Sequence, residues 1–279
     1  MSQEHRHDKV RSRNEPFVQR TATKIWYEQP SEDNPFIASS ALCHGYDLYE
    51  LMEKCSFVEV FYLLFRGELP TADEAKILQT LMIALINPGP RHPATRAAMN
   101  VGIGKTNPQH ILPIASAILG GDYLGGGEIE NAMRFLRKQQ NSCSKDFYTS
   151  ITDELIRAKA DEHSTEKLSQ LMPGFGARNG GIELMAVEIA ERLKKLNGAG
   201  KALHWGCELQ HDLQPNGMGW LSTGVAAAVF ADLGFQPRAG GALFQLLGAP
   251  GLVAHGIELA NKPITAMPFV SDENYVIQR

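Results

Sequence analysis

An all-α fold is what this sequence predicts, and three observations carry that prediction. Apolar residues recur at helical spacing through most of the 279 positions, with charges set between them. Two Ser/Thr-x-x-Glu boxes, Ser56 with Glu59 and Thr71 with Glu74, mark helix starts. Turns dense in glycine and proline separate the periodic stretches at 87–93, 120–128, 172–181 and 214–219. The period-two alternation of half-buried strands is weak throughout.

Taken in order, segment 47–66 carries Leu48, Leu51, Met52, Cys55, Val58, Tyr62 and Leu63 near one helical face. The box at Ser56 divides it into two helices. Gly67 and Pro70 stop the second, and Thr71 opens an apolar helix over 73–86. NPGPRHP at 87–93 breaks that helix; 94–103 and Pro108 to Leu119 are helical again. GGDYLGGGE at 120–128 is a flexible loop before a helix over 129–139. Segment 141–150 is polar, and 151–171 reads as a charged, poorly amphipathic helix. After MPGFGARNGG at 172–181 comes a helix over 182–197, with Ile182, Met185, Ile189 and Leu193 on one face. QPNGMG at 214–219 leads to a small-residue helix over 220–233, one helix around 238–247, another within 250–262, and an extended tail. The expected hinges are 120–128 and 212–219. They set a small helical domain, 128–212, between two halves of a large one, 21–127 and 213–279, with 1–20 as a flexible polar arm.

A 43% hydrophobic content is ample for a core. Net charge of -4 provides no single-sign field for nucleic acid. The first 20 residues lack the apolar stretch of a secretory signal, and Glu4, Asp8 and Glu15 argue against a transit peptide. The apolar runs 78–86 and 225–233 fall short of the roughly 20 residues of a membrane span. Cys43, Cys55, Cys143 and Cys207 form no CxxC pair, so neither a zinc site nor a disulfide framework is indicated. His204 and His211 lack the i,i+4 spacing of a helical metal pair. Gly-Lys-Thr at 104–106 is no P-loop, because Met99 stands where the first glycine is required. The expectation is a cytoplasmic protein with no metal, membrane or nucleic-acid partner.

Five stretches, in order, carry a family resemblance. They are HGYDLYELMEKCSFVEVFYLLFRGELPTADEA (44–75), NPGPRHPATRAAM (87–99), GGDYLGGGEIENAM (120–133), MPGFGARNGG (172–181) and GVAAAVFADLGFQPRAGGALFQLLGAPGLVAH (224–255). Together they resemble the citrate synthase superfamily, most closely its citryl-CoA lyase branch, including the lyase module of ATP-citrate lyase. The resemblance implies an all-α homodimer whose large domain carries the dimer face and whose small domain closes over acyl-CoA. It also implies that Pro173, Gly174, Phe175, Gly176 and Arg178 bind coenzyme A or an acyl-CoA, without a metal.

Similarity to this family implies chemistry at a carbon–carbon bond next to a thioester. That chemistry calls for a carboxylate base, a neutral His donor for the thioester oxygen, and a second His on the electrophilic carbonyl. The matching positions hold other residues: Leu124 and Ala177 replace the two His, Thr223 the Asp, Pro88 a further His and Gly248 an Arg. No Asp or Glu lies between Asp212 and Asp232. The expected protein therefore keeps the fold and acyl-CoA binding but lacks the standard His/His/Asp set, and works as a homodimer or as a heteromer with an active paralogue. Two alternatives stand beside it. One is an active acyl-CoA lyase or acyltransferase using relocated groups, with His44, His92 and His255 as catalytic candidates and Arg91, Arg96 and Arg178 as anion holders. The other is a non-catalytic interaction subunit with a filled cleft.

Overall fold

The computed structural model describes residues 22–159, 170–268 and 270–277. The expected arm at 1–20 and residues 160–169 of the expected 151–171 helix lie outside them. The chain forms two compact units, divided between Glu68 and Leu69.

The first unit contains a sheet that periodicity did not reveal. Strands β1 (Trp26–Pro30), β2 (Ala38–Cys43) and β3 (Tyr46–Asp47) pair antiparallel in that order. All of β1 is exposed, so no buried face imprints alternation on its sequence. Between β2 and β3 the turn is His44–Gly45, both with positive φ (49° and 90°), the backbone a tight two-residue hairpin requires. Asp47 then caps α1 (Leu48–Lys54) by accepting from the amides of Tyr49 and Glu50. Ser56 and Glu59 close the expected capping box on α2 (Phe57–Arg66), and Gly67 ends it in the left-handed conformation.

In the second unit, Thr71 and Glu74 form the other expected box on α3 (Ala72–Ala84). Helices α4 (Pro93–Ile103), α5 (Ile111–Leu119) and α6 (Ile129–Gln139) fall close to expectation. Helix α7 (Ser144–Lys159) starts inside the polar segment, ahead of the expected start at 151. The buried Ser144 hydroxyl donates to Glu208 and holds that start against the next layer. Next come β4 (Phe175–Gly176), α8 (Leu184–Lys194), α9 (Lys201–Leu213), β5 (Gly219–Trp220) and α10 (Ser222–Asp232). The Asp232 carboxylate caps α9 from a distance, accepting from the amides of Gly200, Ala202 and Leu203. Burial nonetheless raises its pKa, against the pull of those three amides.

The two C-terminal helices expected on either side of Pro250 are one, α11 (Pro237–Ala260). Proline removes its own N–H from the helix ladder, and the following amide, Gly251, donates out of the helix to the Ile86 carbonyl. The interruption is thus tied to the 86–89 turn instead of ending the helix. The expected extended tail contains short turns at Ile264–Ala266 and Asp272–Asn274. By length and composition α11 is the one described helix able to cross a membrane. Here it packs on α4, α5 and α6 with Leu243, Leu247, Leu252 and Leu259 buried. The core centres on α10, buried from Val225 to Phe230 as its small, apolar sequence demands. All four cysteines are unpaired, and burial pushes the Cys207 thiol up to about 11.

Candidate functional site

The 172–176 turn is fixed by backbone geometry. Gly174 has φ of +92°, and its Cα abuts Gly224 at the start of α10. A Cβ on Gly224 would overlap the Gly174 carbonyl, so only glycine permits this approach. The Gly174 carbonyl accepts from the Leu221 amide, and β4 pairs with β5 through Phe175↔Trp220 and Gly176↔Gly219. The Phe175 and Trp220 rings stack with centroids 4.2 Å apart, both buried. Gly206 on α9 leaves the room this needs, since a Cβ there would strike the Trp220 ring. The turn is thereby clamped to the N-terminus of α10.

Two carboxylates converge on that N-terminus. Glu183 accepts from the Ser222 amide (3.0 Å) and hydroxyl (2.9 Å), satisfying an otherwise orphan helix donor. Glu128, at the end of the 120–128 glycine loop, accepts from the Thr223 hydroxyl (2.8 Å) through Oε2 and from Arg178 Nη2 through Oε1. The side chains of Arg178 and Glu128 are 6% and 15% exposed, so the pair is held largely out of water. Tyr123 covers the guanidinium, its ring centroid 5.3 Å from the Arg178 carbon.

Beside these groups opens a cavity of about 430 Å³. Asp122, Gly127, Glu128, Asn131 and Phe135 line it from the 120–128 loop and α6, Gln170 from just ahead of the turn, Pro173 and Gly174 from the turn, and Leu221 from the approach to α10. Its size and its mix of apolar wall with a few polar groups suit a small ligand.

The sequence-derived positions fall into three groups. Arg178 and Thr223 meet directly through Glu128. Leu124, φ +59°, sits on the same loop, and Ala177 immediately precedes Arg178. Pro88 and Gly248 meet each other, where the 86–89 turn packs on α11. Among the candidate histidines, His92 caps α4: Nδ1 accepts from the Ala94 amide (3.1 Å), which leaves Nε2 to donate to the Leu124 carbonyl (2.9 Å). His255 on α11 receives a hydrogen bond from Asn87 (3.2 Å). His44 lies in the first unit, its Nε2 3.3 Å from the Leu64 carbonyl. Of the five residues expected to bind coenzyme A, Pro173 and Gly174 line the cavity, Phe175 is buried under Trp220, and Arg178 is paired. Arg91 and Arg96 are exposed.

Glu128 escaped the sequence reading. Along the chain no carboxylate stands beside Thr223, whereas the fold delivers one from 95 positions away. A signal was present: an arginine retained in a buried turn needs a counterion. His204 and His211 both lie on α9, two turns and about 10 Å apart. Among the described residues no group of three His, Cys, Asp or Glu could hold a metal.

The helical fold, with glycine turns closing on a cavity at one helix N-terminus, is like that of solved citrate synthase-like proteins. Residues 22–142 match the model of the citrate synthase C-terminal domain. The structure resembles citryl-CoA lyase from Hydrogenobacter thermophilus with a TM-score of 0.69 and 23% identity, covering 93% of this chain and 94% of that one. It also resembles ATP citrate lyase from Methanothrix soehngenii, solved in complex with citrate and coenzyme A (TM-score 0.67, 15% identity, 94% and 44% coverage). Citrate synthase from Thermoplasma acidophilum, with carboxymethyl coenzyme A and oxaloacetate bound, matches with a TM-score of 0.58 at 20% identity, over 80% and 57% of the two chains. At these identities the structural likeness is one of fold. A 36-residue stretch is 56% identical to 2-methylcitrate synthase 2 of Corynebacterium glutamicum, spanning 13% of this chain and 9% of that protein.

Proposed function

We propose that this protein binds an acyl-CoA thioester through the 173–178 turn and does not catalyse the standard condensation or cleavage. The observation that carries this reading is the pairing of a retained Pro-Gly-Phe-Gly turn, lining an open cavity, with Leu124 and Ala177, which cannot donate or accept a proton. Solved proteins of the same fold hold coenzyme A or its carboxymethyl derivative, which supports the ligand class. Under this reading the protein works in the cytoplasm as a homodimer or beside an active paralogue, with 128–212 as the CoA-side domain of a larger helical body.

The alternative, an active lyase or acyltransferase using relocated groups, gains a carboxylate at the Thr223 position in Glu128. Both oxygens of that carboxylate already accept hydrogen bonds, however, and neither ring nitrogen of His92 is free. Titration calorimetry with CoA, acetyl-CoA and citryl-CoA, run beside a turnover assay, separates the readings. Binding without turnover is expected. Turnover of citryl-CoA would establish the alternative, and no binding by any of the three would leave the non-catalytic interaction subunit.

A further inference from the structure

We infer that Glu128 is a built-in counterion that occupies the anion seat of Arg178, so that the cavity accepts a neutral acyl group and rejects carboxylates. Arg178 is a buried guanidinium whose Nη2 donates to Glu128 Oε1, while Thr223 holds Oε2 and Tyr123 covers the guanidinium face. A carboxylate so gripped is itself what a planar guanidinium and a hydroxyl would otherwise bind from solution. An incoming carboxylate would have to displace Glu128 and leave it buried and unpaired, at a large desolvation cost. Among the described residues no cation lines the cavity itself, for the charged groups lining it are the acids Asp122 and Glu128. Polar contact comes instead from the side-chain amides of Asn131 and Gln170, and apolar contact from Phe135 and Leu221. That lining suits a short uncharged acyl chain and repels a polycarboxylate.

The inference names the acyl class within the proposed acyl-CoA site and rests on that proposal for the CoA portion alone. Its test uses citrate without CoA. Calorimetric titration of the whole chain with citrate compares the wild type with Glu128→Gln and with Glu128→Gln/Arg178→Gln, the last removing both charges while leaving a polar amide at each position. Freeing one charged hydrogen-bond donor should tighten citrate binding at least ~10-fold in Glu128→Gln, and the double variant should lose that gain. Equal or weaker citrate binding by Glu128→Gln would overturn the inference. Should Glu128→Gln fail to fold, wild type and double variant still decide: similar, weak citrate binding supports the inference, and wild type binding ~10-fold tighter than the double variant overturns it. Failure of acetyl-CoA to bind any folded form would sink the acyl-CoA proposal and leave the citrate result standing.

Discussion

At the scale of single residues, the site depends on one carboxylate arriving from outside the segment that was expected to supply it. Glu128 answers both the Arg178 charge and the Thr223 hydroxyl, and cutting it back leaves a guanidinium buried without a partner. Glu128→Ala should therefore lower the unfolding free energy by about 3–5 kcal/mol, whereas Glu128→Gln/Arg178→Gln should lose far less. Urea denaturation followed by circular dichroism reads both. A loss in the double variant equal to that in Glu128→Ala would mean that the lost hydrogen bonds, and not an unpaired buried charge, set the cost. That Leu124, Ala177 and Thr223 carry no imidazole or carboxylate was legible from sequence alone. The non-local pairing of Glu128 with Arg178 was not, because nothing in residues 124–130 states which turn will face them.

At the scale of elements, capping chemistry was the most legible feature and close backbone approach the least. Both Ser/Thr-x-x-Glu boxes form as read, since their partners lie within one turn of chain. Ser56 donates to Glu59 through its amide and hydroxyl, 2.7 Å each, and holds that carboxyl below the usual glutamate range. A folded value below the unfolded one means that this stabilisation is complete above the unfolded pKa and disappears as pH falls through the folded one. Glu59→Gln should accordingly flatten the decline of stability between about pH 5 and pH 3, as measured by denaturant midpoints across that range. A contrasting case is the crossing of α4 and α11, where a Cβ on Gly102 would overlap the Gly256 carbonyl. Gly102→Ala should cost about 1–3 kcal/mol through overpacking. Gly181→Ala, where a Cβ meets nothing within 4 Å, should stay within about 0.5 kcal/mol of wild type, both variants being read by urea denaturation. Periodicity missed β1 because it is exposed along its length, and it split α11 at Pro250 because the rescue of the helix ladder comes from Ile86, far away in sequence.

For the whole molecule, the ordered run of five motifs pointed to the right fold because it joins caps and glycine turns to the helices they bound, in one order along the chain. The cavity was less legible, since its wall is shared among residues around 122–131, 170–174 and Leu221. If acyl-CoA occupies it, ligand at 100 times Kd should stabilise the folded chain by about 2.7 kcal/mol, visible as a rise in Tm with acetyl-CoA concentration. A Tm that does not move would count against occupancy. Glu128 is linked to both Arg178, 50 positions on, and Thr223, 95 positions on. Helices can form from neighbours, but this link closes only after two long loops have been drawn together, against their chain entropy. The binding pocket is thus among the last parts of the molecule to be completed during refolding, and the return of ligand binding should lag the return of helical signal.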